Sequence, residues 1–412
     1  MFLLTLASKY SSYIRDFYLN HPDEKTKSYK EQYDFLMSES YGSSEIWSVG
    51  MSSLSYKTER IFVNAEQLQR QWAFENGIET IDDDWQHKTL FAQVKYLQPD
   101  IIFINNHTLL SSSLIDRLRS ENKSIKLVIG WCGIPYKDPD IFRKFDIVLS
   151  NIPELVEEFH HQGHVVFHIN HAFDPRIIKN INTEREKKID FSFIGSIIKD
   201  TNFHTSREKL LLDLVQKTDL KIWGNIFIAS IIQKMYILLL QITYDTVEFL
   251  VKKNVVPKSV VNSILIKRIL NMQPRPTLKR LIHPNLIKRY QPPIFGLEMY
   301  QRLCDSKITL NTHIDVSTNS ASNMRLFEAT GVGTCLLTDW KENIRYIFEP
   351  DIEVATYNNS EECIAKVNFL LQNEETRKEI AQAGQKRTLN NHTIYHRAEQ
   401  VDEIIKKELR KR

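Results

Sequence analysis

Short apolar segments alternate with helical patterns along most of this chain, in two rounds separated by a polar connector at residues 179–188. Strands apolar on both faces, each followed by a helix, fit a parallel sheet covered by helices. The first round predicts strands at Met1–Leu6, Glu59–Val63, Ile101–Ile104, Lys126–Ile129, Ile147–Leu149 and Val165–Phe167. The second predicts them at Ile189–Ile194, Leu220–Trp223, Ile308–Asn311, Thr334–Leu337 and Glu353–Ala355. A length of 412 residues exceeds what one core usually serves. The expected class is therefore α/β, with two doubly wound, Rossmann-like domains facing a cleft, residues 1–180 and 186–393. A last helix at 394–412 is expected to return to the first domain.

Residues 226–291 break the second rhythm. Ile226–Val251 reads as a helix with a wide apolar face, Val260–Leu270 as another, and Pro274, Pro276, Pro284, Pro292 and Pro293 punctuate a basic connector. No acidic residue occurs between Phe249 and Leu297, against ten basic ones, so a net charge of +3 understates the local field. This helical basic insertion could pack on its own domain or a partner subunit. Alternatively it lies on an anionic membrane surface, with Lys279, Arg280, Lys288 and Arg289 facing the headgroups. Nucleic acid is not an expected partner, because few aromatic residues interleave with these charges. Cys132, Cys304, Cys335 and Cys363 are far apart and form no C-x-x-C pair, which suits buried thiols in a reducing cytoplasm. Met1–Ala7 is too short for a secretory signal, and no apolar run reaches membrane-spanning length. The expected location is cytoplasmic, peripheral at the inner face of the cell membrane if the insertion docks there.

The most specific chemistry lies in Ser322–Asp339. A polar loop feeds a short helix carrying Asn323, Arg325 and Glu328, and a Gly331-x-Gly333 turn then releases an apolar strand. Arg325 offers a planar fork for phosphate oxygens, and Glu328, one turn on, can accept bonds from a ribose diol. The segment resembles the donor-binding signature of GT-B glycosyltransferases, specifically the CgeB-like group among family 1 transferases, with the pattern N-x-R-x-F-E-A-x-G-x-G before a strand. Thr338-Asp339, Tyr357, Ala381-x-x-Gly384 and His392-Thr393-x-Tyr395-x-x-Arg397 extend the likeness downstream. Upstream, Phe191–Ser196 is similar to the first strand and glycine turn of the same domain. The resemblance implies donor nucleotide binding by Gly195, Ser196, Arg207, Asn323, Arg325 and Glu328, with no obligatory metal and no cofactor. One departure stands out: Ser320 occupies the place of a second, sugar-contacting glutamate. Donor sugar and stereochemical outcome therefore stay open.

In the first domain, His107 follows an apolar strand, where functional residues gather, and is the candidate general base. A structural loop histidine is the alternative. Trp131 could stack on an acceptor sugar or simply pack, and His171 and Asp174 read as a turn. Asp82-Asp83-Asp84 reads as a solvated charge run rather than a metal site. Together these features predict a glycosyltransferase moving a sugar from a nucleotide diphosphate sugar to a glycan or lipid-linked acceptor, in cell-surface polysaccharide biosynthesis. A nucleotide-sugar epimerase and a non-catalytic, membrane-associated nucleotide-sugar-binding protein are the alternatives.

Overall fold

The structure is a computed structural model that describes the chain apart from residues 81–83, 135, 137, 198–204, 225–230, 254, 256, 258, 259, 261, 262, 271–281, 314, 316 and 318. Each round of alternation forms a six-stranded parallel sheet. The first contains β1 (Phe2–Ala7), β2 (Lys57–Phe62), β3 (Ile101–Ile104), β4 (Leu127–Trp131), β5 (Ile147–Ser150) and β6 (Val166–His168), in the order β2-β1-β3-β4-β5-β6. The second contains β7 (Ile189–Ile194), β8 (Lys221–Trp223), β9 (Tyr290–Gln291), β10 (Ser306–Asn311), β11 (Cys335–Asp339) and β12 (Ala355–Tyr357), in the order β12-β11-β10-β7-β8-β9. Strand order reverses between β1 and β3 in one sheet and between β7 and β10 in the other. Ligands of such sheets bind outside the carboxyl ends of the strands at these reversals.

The central strands are apolar because helices cover both faces: every residue of β1, β3 and β5 is buried. Two strands depart from expectation. β9 is only two residues long and comes after the insertion. β12 begins at Ala355 because Pro350–Val354 is a turn, with Asp351 in the left-handed region (φ 60°) and its N–H donating to Val354 O at 2.6 Å.

The helix Ile394–Leu409 packs on the first sheet, placing Ile394, Ala398, Val401 and Ile405 in one core with Leu3, Trp47, Met51, Phe103 and Ile129. Gly50 permits this approach, since a Cβ there would lie 2.9 Å from Ala398 Cβ. The chain thus passes twice between the halves, and the passages pair with one another. Phe173 N donates to His392 O, and Ile394 N donates to Phe173 O, both at 2.9 Å. A Cβ on Gly331 would come within 2.3 Å of the Phe173 ring, so the first glycine of the Gly-x-Gly turn makes room for this joint.

Within the insertion, helix Ile231–Lys252 packs against helix Ile264–Leu270. None of its residues is buried, and Ile231, Ile232, Met235, Tyr236, Leu239, Ile242 and Phe249 are exposed. No helix among the described residues is long and apolar enough to cross a membrane.

Candidate active site

Helix Arg325–Gly331 comes after the serine-rich loop and places Arg325 and Glu328 against the carboxyl end of β7. The two side chains pair, Arg325 Nη1 to Glu328 Oε2 at 2.9 Å, with only 15% and 9% of their surface exposed. The pair is therefore enclosed rather than exposed on the helix surface. Arg325 Nη2 donates to Ile194 O at 3.1 Å, while its Nε is buried without a partner among the described residues. Glu328 Oε1 accepts from Tyr300 Oη at 3.3 Å. Burial, reinforced by Glu328, raises the Tyr300 pKa well above its ordinary value. The other half of the molecule reaches this group, for a Cβ on Gly42 would meet the Tyr300 hydroxyl at 2.7 Å.

Asn323, Arg207 and Ser196 knit the neighbouring turns together. Asn323 Nδ2 donates to Asn311 Oδ1 at 3.0 Å and to Thr312 O at 2.9 Å. Arg207 donates from Nη1 to Ser196 O at 3.0 Å and from Nη2 to Thr312 O at 2.8 Å. Its guanidinium is buried, which lowers its pKa. The absent Cβ of Gly195 leaves room for the Phe193 ring, and a Cβ on Gly224 would meet Gly195 O at 2.1 Å. The turn after β7 is therefore packed tightly against its neighbour, whatever it binds.

One pair escaped the sequence reading. His313, just beyond β10, is fully buried, with Nδ1 2.7 Å from Asp339 Oδ1 at the end of β11. Burial opposes ionisation of Asp339, but His313 and Lys341 together hold its carboxyl below the usual range. His313 Nε2 has no hydrogen-bond partner among the described residues. The signal available was position: a histidine directly after a buried strand.

The loop before Asn323 docks on the first half. Asn319 N donates to Glu154 Oε1 at 3.1 Å, and Asn151 Nδ2 donates to Ser322 O at 2.9 Å. Trp131 ends β4, half-buried, with its ring 5.5 Å from that of His171. His107 is buried, its ring 5.3 Å from Phe142 and its Nδ1 unpartnered, and burial lowers its pKa. Among the described residues it forms no hydrogen bond or ion pair with Arg325 or Glu328. Asp174 forms the expected turn, accepting from Arg176 N and Arg176 Nε, both at 3.0 Å. Lys288 is exposed, and Arg289 pairs with Asp219 at 2.7 Å. Lys279, Arg280, Asp82 and Asp83 lie outside the described residues. No cluster of His, Cys, Asp or Glu suited to a metal occurs among the described residues.

Residues 275–403, which contain the Arg325–Glu328 pair, match the glycosyl transferase-like family. Solved structures extend the likeness over the whole chain. HepE of Anabaena, solved with UDP and glucose, shares 11% identity at a TM-score of 0.56, over 99% of this chain and 100% of that one. A glycosyltransferase of Rickettsia africae has 11% identity and a TM-score of 0.54, over 99% and 98%. The sucrose-phosphate synthase of Thermosynechococcus elongatus has 9% and 0.53, over 99% and 98%. The chain has the GT-B fold, and its residues 275–403 are similar to the glycosyl transferase-like family. No curated sequence matches it. In this GT-B chain the Arg325–Glu328 pair stands at the β7/β10 reversal of the second sheet, and Gly42 brings the first half up against it.

Proposed function

We propose that the protein transfers a sugar from a nucleotide diphosphate sugar to a hydroxyl of a glycan or lipid-linked acceptor. One observation carries this reading: a nearly enclosed Arg325–Glu328 pair at the strand-order reversal of the second sheet, where the other half meets it. On binding, the guanidinium would turn from Glu328 to the diphosphate and free the carboxylate for the ribose hydroxyls. The charge leaving with the diphosphate would then be offset by Arg325, which supports a metal-independent reaction. UDP-glucose, which HepE binds, is the first donor to try.

His107 is the candidate base in this reading. Its lowered pKa keeps the imidazole neutral and able to take a proton, and the turn at 105–108 would have to open to admit the acceptor. Trp131 remains the candidate acceptor platform. The exposed apolar helix Ile231–Lys252, with exposed Lys267 and Arg268 on the helix packed against it, supports docking on an anionic membrane. That placement favours a lipid-linked acceptor and a role in cell-surface polysaccharide assembly at the inner face of the membrane.

The donor site is tested by titrating UDP into the wild type and Glu328→Gln, a change that keeps the side-chain shape. Losing a charge-assisted hydrogen bond costs about 1.5 to 3 kcal/mol, so affinity should fall at least about tenfold, and the titration is run well below the melting temperature because the variant also leaves the enclosed Arg325 without its counterion. Unchanged UDP affinity in the variant would remove the basis of the assignment.

A further inference from the structure

The β1/β3 reversal of the first sheet holds a cavity of about 70 Å³, lined by Thr5, Lys9, Ser44, Arg60, Phe62 and Asn105 among others. Three of its lining residues carry buried polar atoms without a partner among the described residues: Thr5 Oγ1, Arg60 Nε and Asn105 Oδ1. Leaving such atoms unpaired is costly, so their convergence on one cavity marks a place that something else completes.

The charges around it indicate what that is. Arg60 is neutralised by Glu45, Nη1 to Oε1 at 2.8 Å, and held by Ser44 O and Ser48 Oγ, both at 3.0 Å. Lys9 has no such counterion. Its Nζ donates to Ser40 Oγ at 3.1 Å and lies 5.3 Å from the ring centres of both Tyr13 and Phe62, with no carboxylate at ion-pair distance among the described residues. Burial, with Arg60 nearby and only partial relief from Glu45 and Glu39, lowers its pKa to about 8. An ammonium in this state gains most from an incoming anion. The Asn105 amide can turn over to present its donor side, since its two orientations are nearly equivalent in shape.

We propose that this cavity is a subsite for an oxyanion carried by the acceptor, a carboxylate or a phosphate, bound by Lys9 and Arg60. The inference rests on the transferase reading above and assigns its acceptor to the acidic glycans or phosphorylated carriers. Position supports the acceptor rather than the donor as the source. Ser44 lines the cavity, while Gly42, two residues earlier, packs on the Tyr300 hydroxyl that bonds Glu328. Two residues span at most about 7 Å, so the cavity lies beside the donor pair but on the opposite half.

The test is calorimetric titration of the full chain, saturated with UDP, with inorganic phosphate and separately with glucuronate. Wild type should bind at least one of them. Lys9→Gln should weaken that binding about tenfold or more, and Thr5→Val, which replaces the hydroxyl with a methyl of similar size, by a smaller factor. UDP affinity should not change in either variant. Preference for phosphate assigns a phosphorylated acceptor, and preference for glucuronate a uronic acid. Oxyanion affinity that is absent in the wild type, or unaltered in both variants, overturns the subsite. Weakened UDP binding in Lys9→Gln would instead place the cavity in the donor site and overturn the acceptor assignment. Failure of the wild type to bind UDP would overturn the donor reading while leaving the Lys9-dependent anion binding measurable without nucleotide.

Discussion

Arg325 and Glu328 face one another at 2.9 Å, so a nucleotide would exchange partners in an existing polar cluster rather than enter an empty one. His107 is enclosed against Phe142 in the first half, away from that exchange, so its removal should separate catalysis from donor binding. If it is the base, His107→Ala lowers kcat by a factor of about 10² to 10⁴ and leaves UDP affinity unchanged. Normal turnover in that variant would place the base elsewhere. The Arg325–Glu328 contact was legible because its members stand three apart on one short helix, a spacing that places them together. His313 and Asp339 were not, because 26 residues and a helix separate them and only adjacent strand ends bring them into contact. The purpose of Gly331 was equally hidden, since the ring it accommodates, Phe173, belongs to another part of the sequence.

Among the elements, long buried strands announced themselves by composition, whereas two-residue β9 is too short to carry any periodicity. The insertion was read as amphipathic, and the structure leaves its helix Ile231–Lys252 with no buried residue. Exposed surface of that kind is unfavourable in water at roughly 25 cal/mol per Å², and a bilayer interface would remove much of it. Replacing Ile231, Met235, Leu238 and Ile242 with Ser should therefore abolish binding to anionic vesicles while leaving turnover of a soluble acceptor near normal. Vesicle flotation reads the effect. Equal flotation of the wild type and the quadruple variant would reject membrane docking by this helix.

Across the whole molecule, the paired passages at Phe173 and Thr393 form the joint between the halves, and His392 lies within it. Its Nδ1 accepts from Arg397 Nη2 at 2.6 Å and its Nε2 is 3.1 Å from Ile347 O, an arrangement that suits the neutral ring. Burial and the Arg397 charge lower its pKa to about 4. An unfolded histidine titrates near 6.5, so between roughly pH 6.5 and 4 the unfolded chain binds the extra proton. The stability is present above that window and is lost as pH falls through it, about 2 kcal/mol of it by pH 5. Urea unfolding at pH 7 and pH 5 should show this loss in the wild type and a smaller one in His392→Gln. Equal losses would show that the proton is taken up elsewhere.

That joint also dictates an order of events during synthesis. The first sheet is complete by His168, yet the apolar face carrying Leu3, Phe103 and Ile129, covered in part by Trp47 and Met51, takes the rest of its cover from residues translated more than two hundred positions later. At the usual rate of about 5 to 20 residues per second, the nascent first half waits tens of seconds for its cover. During that interval its exposed face is a natural client for chaperones, and the half translated first is the last to be finished.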